Sequence, residues 1–369
     1  MKTAHGLVIG KFYPPHAGHH LLIRTAASAS DRVTVVVCAS DHESILLGDR
    51  VRWLREVHAL DSSVTIRGAV DNHPIDYADP AVWDLHMAVF LAALQTVTDT
   101  PVTAVFTSEP YGSELARRLG AISVRVDPGR ILAPASGSEV RVDPVIMWKQ
   151  LAEPVRGWFA RRVVVIGAES TGTTTVSLAL VDALRARGGS HGLTRWVLEY
   201  GREFTIDKFA ATRALATING GAPPAMNDLK WRSDEFVDIA RRQNELEDRA
   251  ACLGGPVLIC DTDAFATGIW HERYQGSASA DVDLLARKHP LYLLTHHRGV
   301  PFEQDGIRDG ESIREWMTDR FIDALAMTGR RTVVLSGTID QRVAQGLAAI
   351  DELLAQGFHL ADPLVPADS

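Results

Sequence analysis

Two histidines three apart, His16 and His19, stand in the stretch GKFYPPHAGHH, directly after the apolar run GLVIG at residues 6–10. A strand that gives way to a helix at such a point opens on the crevice where α/β sheets bind ligands. A helix start there favours phosphate, because its free N–H groups carry partial positive charge. Imidazole N–H groups beside it would donate to phosphate oxygens as negative charge builds up. The same spacing also suits a metal pair or a capped helix start.

A second group is GAESTGTTTVS, residues 167–177, after the apolar run RRVVVI. A phosphate-binding loop reads G-x-x-x-x-G-K-[ST]. Gly167 and Gly172 have its spacing, and Thr174 stands where a hydroxyl meets magnesium. The lysine position holds Thr173. The backbone nest, with Glu169, Ser170 and Thr175 completing the loop, is a main-chain property and survives that change. What is lost is a point charge at the β- and γ-phosphates. VLICDTD at 257–263 supports a nucleotide site: Asp261 ends a buried run, as a magnesium-linked carboxylate would, and Asp263 follows as a further candidate for the site. EYGREF at 199–204 places Glu199 and Arg202 at a strand end, to bind ribose hydroxyls or to act as base and phosphate clamp. The polar stretch at 296–314 carries Arg298, Arg308 and Arg314 and reads as a lid that brings arginine to ATP.

The elements that position these groups follow from periodicity. Short β-branched runs at 6–10, 33–40, 63–70, 102–108 and 122–126 read as strands. Amphipathic stretches at about 18–29, 49–60, 80–97 and 111–119 read as helices, and a further helix runs from Ser138 to about Leu151. A second series has strands at 162–167, 194–200, 257–261, 291–296 and 331–337, with a long helix over 227–253. Such alternation predicts parallel sheets covered on both faces. The fold class expected is α/β, as two tandem domains at 1–151 and 162–355. A linker at 152–161, punctuated by Pro154 and Gly157, joins them, and a frayed tail spans 356–369.

At 369 residues the chain suits two domains. A net charge of −8 argues against nucleic-acid binding, which needs a basic stripe. Three cysteines without metal spacing (Cys38, Cys252 and Cys260) suggest reduced thiols in a cytoplasm. The N-terminus has no signal-peptide pattern, and no run of about 18 apolar residues would span a membrane. A homo-oligomer is left open.

GKFYPPHAGHH resembles the G-x-F-x-P-x-H-x-G-H signature of the adenylyltransferase superfamily, and SGSEVR at 136–141 resembles its second half. GDRVRWL (48–54), TSEPYG (107–112), VDPGR (126–130), EYGREF, CDTDAFAT (260–267) and DGIRDG (305–310) narrow the likeness to the NadR-type family, over nearly the whole chain and in order. Its members join a nicotinamide-nucleotide adenylyltransferase to a ribosylnicotinamide kinase, so the resemblance implies a Rossmann-like nucleotidyltransferase domain at 1–151 and a P-loop nucleoside-kinase-like domain at 162–355. Some also carry an N-terminal helix-turn-helix. This sequence begins at the first strand, so no operator binding is expected.

The resemblance implies adenylyl transfer from ATP to nicotinamide mononucleotide, giving NAD and pyrophosphate. His16, His19, Lys11 and Arg141 would serve the phosphates, and Gly10, Phe12, Gly18, Ser136 and Ser138 would form the rest of the first ATP site. The cationic pyridine ring calls for an aromatic face, with Trp53 and Trp83 as candidates. The second domain would phosphorylate nicotinamide riboside with ATP. Mg2+ would be the cofactor of the phosphate chemistry, held in the second site by Thr174 and Asp261. The alternatives are an adenylyltransferase whose second domain is catalytically weak or regulatory, and adenylyl transfer to another phosphate acceptor such as a flavin or pantetheine phosphate.

Overall fold

The computed structural model describes residues 1–303 and 310–364. They fall into two units, residues 1–155 with the C-terminal segment from 358, and residues 156–357.

The first unit runs β1 (Thr3–Gly10), α1 (Ala17–Ala29), β2 (Ser30–Ala39), α2 (Leu47–Val57), β3 (Val64–Val70), α3 (Pro80–Gln95), β4 (Ala104–Thr107), α4 (Gly112–Leu119), β5 (Ile122–Arg125) and α5 (Gly137–Val142). Its five strands are parallel, in the order β3-β2-β1-β4-β5. Successive residues of β1 and β2 face opposite layers, and both layers are apolar. Val8 and Val35 pack in a cluster with Leu22 and Leu54, whereas Leu7 and Val36 pack with Met87 and Leu115. Helices on both faces explain why these strands read as continuous β-branched runs. The strand order reverses between β1 and β4, so a crevice opens at their carboxyl ends.

The boundary falls inside α6 (Glu153–Phe159), and the second unit then runs β6 (Arg161–Gly167), α7 (Thr173–Ala186), β7 (Arg195–Val197), α8 (Tyr200–Ile218), α9 (Ser233–Leu253), β8 (Val257–Asp261), α10 (Ala264–Gln275), α11 (Ala280–Asp283), β9 (Leu291–Thr295), α12 (Arg314–Met327), β10 (Thr332–Leu335) and α13 (Ile339–Ala355). Its strands are also parallel, in the order β10-β9-β6-β8-β7. The central β6 hands its last residue, Gly167, to the phosphate-type loop, and β8 ends beside it in Asp261.

Several local expectations need correction. The helix expected over 138–151 stops at Val142, because Asp143 precedes Pro144 and is held extended at φ −150°, ψ 93°. The strand expected at 194–200 is only Arg195–Val197, and Glu199 instead sits just ahead of α8. That 19-residue helix was not anticipated; it has no fully buried residue, and so gives little apolar periodicity. The stretch 152–161 contains α6, in which Val155 and Phe159 are fully buried, so it is not a solvated linker. The C-terminal segment is not frayed over its described part. Ala361 N–H donates to Ser44 Oγ at 2.8 Å, and Ala361 O accepts from Tyr13 OH at 2.8 Å.

Candidate active sites

The crevice of the first unit holds a cavity of ≈ 550 Å³. It is lined by residues from both halves of the signature, including Phe12, His16, His19, Ser138 and Arg141. Gly10, Lys11, Gly18 and Ser136 also border it. Pro363 and Leu364 of the C-terminal segment form part of its wall.

His16 is the N-cap of α1, and its Nδ1 accepts the Gly18 N–H at 3.2 Å. His19 reaches back, and its Nδ1 accepts the His16 N–H at 3.3 Å. The chain has joined a capping box to a catalytic-type pair. Each ring has spent its Nδ1 lone pair on backbone, so its proton must sit on Nε2. The rings lie 3.9 Å apart. Burial, with Arg130 nearby, pushes His16 down to about 4, and burial beside His16 and His20 pushes His19 well below the ordinary histidine value. Both are therefore neutral donors at pH 7.

Arg141 is set by Tyr13: one guanidinium nitrogen donates to Tyr13 O at 2.9 Å, and the group stands 5.1 Å from the Tyr13 ring. Its other terminal nitrogen donates to Ser138 Oγ at 3.2 Å. Ser136 caps α5, accepting the Glu139 N–H. Lys11 pairs with Glu43 at 2.9 Å, and Glu43 also takes the fully buried Arg50 at 2.6 Å. Sequence reading missed Glu43, Arg50 and Arg130, although Arg50 and Arg130 lie inside quoted motifs. Arg130 borders the cavity.

Beside this cavity lies another, of ≈ 200 Å³, bordered by Tyr77, Trp83 and Tyr111. Trp83 is anchored by its indole N–H to Tyr77 O at 3.2 Å, and Tyr77 stacks on Tyr111 at 5.7 Å. Trp53 is the correction here: it is fully buried in the core and borders neither cavity.

In the second unit the loop after β6 borders a cavity with Asp261, Glu199 and Arg202. Gly172 has φ 86°, a left-handed conformation that glycine adopts at no cost. Gly167 has no room for a Cβ, since Thr171, Thr295 and the Thr295 carbonyl crowd it. Thr174 Oγ1 donates to Asp261 Oδ2 at 2.5 Å, and Thr173 also bonds that carboxylate. Burial raises Asp261 to about 6, opposed by the two threonines and by the charge of Arg202. A hydroxyl beside a carboxylate at a phosphate loop fits a magnesium ion.

Glu169 and Ser170 border the cavity, whereas Thr175 is exposed and does not. Glu169 accepts from Arg273 at 3.2 Å, a residue that sequence reading missed. Arg314 does approach the loop, but its guanidinium donates to the carbonyls of Ser170 (3.0 Å) and Val300 (3.1 Å) and does not border the cavity. Arg308 lies outside the described residues. Asp263 is corrected too: it is buried, caps α10 through Ala266 N–H, and accepts from Tyr292 OH at 2.9 Å. The far wall of the cavity is aromatic, made by Trp231, Phe236, Trp270 and Tyr274. Trp231 lies 5.2 Å from Phe236 and 5.3 Å from Tyr274. These come from α9, α10 and the loop before α9, and no local motif flags them.

Comparison with known proteins adds to this geometry. A family model described as an AAA domain matches residues 162–342. The trifunctional NAD biosynthesis/regulator protein NadR of Salmonella typhimurium is 24% identical over 322 residues, 84% of this chain and 72% of its own. The Escherichia coli protein of the same name is 25% identical, covering 85% and 73%. A solved NadR structure in complex with NR superposes with a TM-score of 0.71 at 21% identity, covering 95% of this chain and 96% of that one. The chain is thus similar to NadR proteins over most of its length. The likeness shows the fold of both units, a Rossmann-like α/β domain followed by a P-loop-type α/β domain. A nicotinamide-nucleotide adenylyltransferase of Caldivirga maquilingensis matches a shorter stretch, 28% identical over 131 residues, 33% of this chain and 66% of that relative. No helix among the described residues is long and apolar enough to cross a membrane.

Proposed function

We propose that the first unit transfers an adenylyl group from ATP to nicotinamide mononucleotide, and that the second phosphorylates nicotinamide riboside with ATP. The observation that carries the first half is the pair His16 and His19, each with Nδ1 bound to backbone and an Nε2 proton left for a phosphate oxygen. The mononucleotide phosphate attacks the α-phosphorus of ATP in line, the bond to the β-phosphate breaks, and pyrophosphate leaves. His16, His19 and Arg141 hold the charge that grows on the phosphate oxygens. Lys11, Ser136 and Ser138 position the triphosphate, and the aromatic cavity at Tyr77, Trp83 and Tyr111 receives the pyridine ring. The relatives named for NAD biosynthesis and for nicotinamide-nucleotide adenylyl transfer support this reading over a flavin or pantetheine phosphate.

In the second unit the loop nest takes the ATP phosphates, and Thr174 and Asp261 would hold Mg2+, which neutralises phosphate charge when bound. The aromatic wall suits a cationic pyridine ring, and Glu199 and Arg202 face the same cavity. With Thr173 in the lysine position and bonded to Asp261, Arg202 is the cation placed to act on the transferred phosphoryl group. That substitution also supports a second reading, a slow kinase or nucleotide sensor. The protein acts in the cytoplasm, without nucleic acid or membrane. The deciding experiment incubates purified protein with ATP, Mg2+ and either nicotinamide mononucleotide or nicotinamide riboside, and resolves the products. NAD from the first mixture, and mononucleotide or the NAD made from it in the second, support both halves. Absence of NAD from the first mixture overturns the first, and absence of any phosphorylated riboside product from the second, as mononucleotide or NAD, leaves the sensor.

A further inference from the structure

Three side chains at the carboxyl edge of the first sheet have no role in the chemistry above. Asp71 follows β3 and is fixed there by its N–H, which donates to Ala39 O at 2.9 Å. His73 Nδ1 lies 2.9 Å from one oxygen of its carboxylate, and His86 Nδ1, from α3, lies 2.6 Å from the other. The three ligand atoms all lie within 4.8 Å of one another. The Asp71 side chain is 8% exposed and that of His86 14%.

His86 is the telling residue. Its Nε2 faces Pro74 O at 3.2 Å, and a carbonyl only accepts. Its Nδ1 faces a carboxylate, which also only accepts when ionised. A neutral imidazole has one proton for two such partners. Either the ring carries a second proton, or a cation occupies the Nδ1 side. A metal at Nδ1 leaves Nε2–H for the Pro74 carbonyl, the outer hydrogen bond that metal-bound histidines ordinarily make.

We infer that Asp71, His73 and His86 form a site for a divalent transition-metal ion. Two imidazoles and one carboxylate suit Zn2+ or Co2+, whereas Mg2+ and Ca2+ prefer all-oxygen shells. Three protein ligands leave a fourth position. The residues border the cavity that also holds Tyr77, Trp83 and Tyr111, so a ligand there could complete the shell. The site is distinct from the magnesium-type pair of Thr174 and Asp261 in its ligand chemistry and in its domain.

The test is a Co2+ titration of the full chain in excess Mg2+, read by the visible ligand-field absorption of the bound ion. Saturation at one Co2+ per chain, with the intensity of a four-coordinate site and displacement by Zn2+, is expected. His86→Ala and Asp71→Asn should each weaken binding by about 100-fold or more, since even the outer partners of metal ligands are worth 10–100-fold. His42→Ala, at an exposed histidine, should leave it unchanged. No saturable Co2+ binding by the wild-type chain overturns the site whether or not a variant folds. Undiminished binding by a folded His86→Ala protein overturns the ligand set. The readout is optical and uses no turnover, so it stands or falls apart from the adenylyl-transfer reading.

Discussion

His16 and His19 work as neutral donors because backbone N–H groups hold their Nδ1 atoms and burial opposes a second proton. His19→Ala removes a donor to charge that develops in the transition state, so NAD formation should fall by about 100-fold or more. Circular dichroism should show the fold retained, and wild-type turnover in such a protein would sink the assignment. Thr173 sets the second residue-scale expectation. Thr173→Lys adds a cation where negative charge grows in the transition state, so riboside phosphorylation should rise by about tenfold or more at nearly unchanged ATP affinity. Arg202→Ala in the unaltered loop should lower the same rate by about 100-fold. Steady-state kinetics on both variants check this; a Thr173→Lys rate at or below wild type would mean that the cation is already supplied.

At the scale of elements, the C-terminal segment matters more than its composition suggests. Ala361 ties it to Tyr13 and Ser44, Tyr13 in turn fixes Arg141, and Pro363 and Leu364 border the cavity that also holds His16 and His19. Ending the chain at Gly357 removes both Ala361 hydrogen bonds and part of a wall, while α13 stays whole. The KM for ATP in adenylyl transfer should rise by about 3–10-fold, the equivalent of one or two net hydrogen bonds. Riboside phosphorylation should be unchanged, because no described residue of that segment borders the cavity of the second unit. An unaltered adenylyl-transfer KM would reduce the segment to a passive tail.

For the whole molecule, buried neutral histidines make stability depend on acid. The folded pKa of His16 is lowered to about 4 and that of His20 to about 3, from 6.5 in the unfolded chain. Between pH 6.5 and 4 the unfolded chain therefore binds protons that the folded chain does not, and stability falls as pH falls. His16 alone should cost about 2 kcal/mol at pH 5 relative to pH 7. Urea unfolding of the first unit at pH 7, 6 and 5 measures this. A flat profile would mean that the rings are hydrated or charged in the folded state.

The sequence by itself determined whatever is local along the chain. Strand-turn-helix spacing exposed both loops that border a cavity, and β-branched runs gave two parallel sheets, since strands covered on both faces must be apolar on both. His16, His19, Arg141, Thr174 and Asp261 were legible because their chemistry sits at fixed offsets from those turns. Tertiary structure decided what comes from elsewhere. Trp53 and Trp83 are the same residue type on consecutive helices and both are buried, yet only packing gives one of them, Trp83, a cavity to border. Asp263 looked like a second site carboxylate, but the close of β8 turns it inward to cap α10. The aromatic wall of Trp231, Phe236 and Tyr274, and the meeting of Asp71 with His86, join positions brought together by the sheet, and such pairings leave no period in a single sequence.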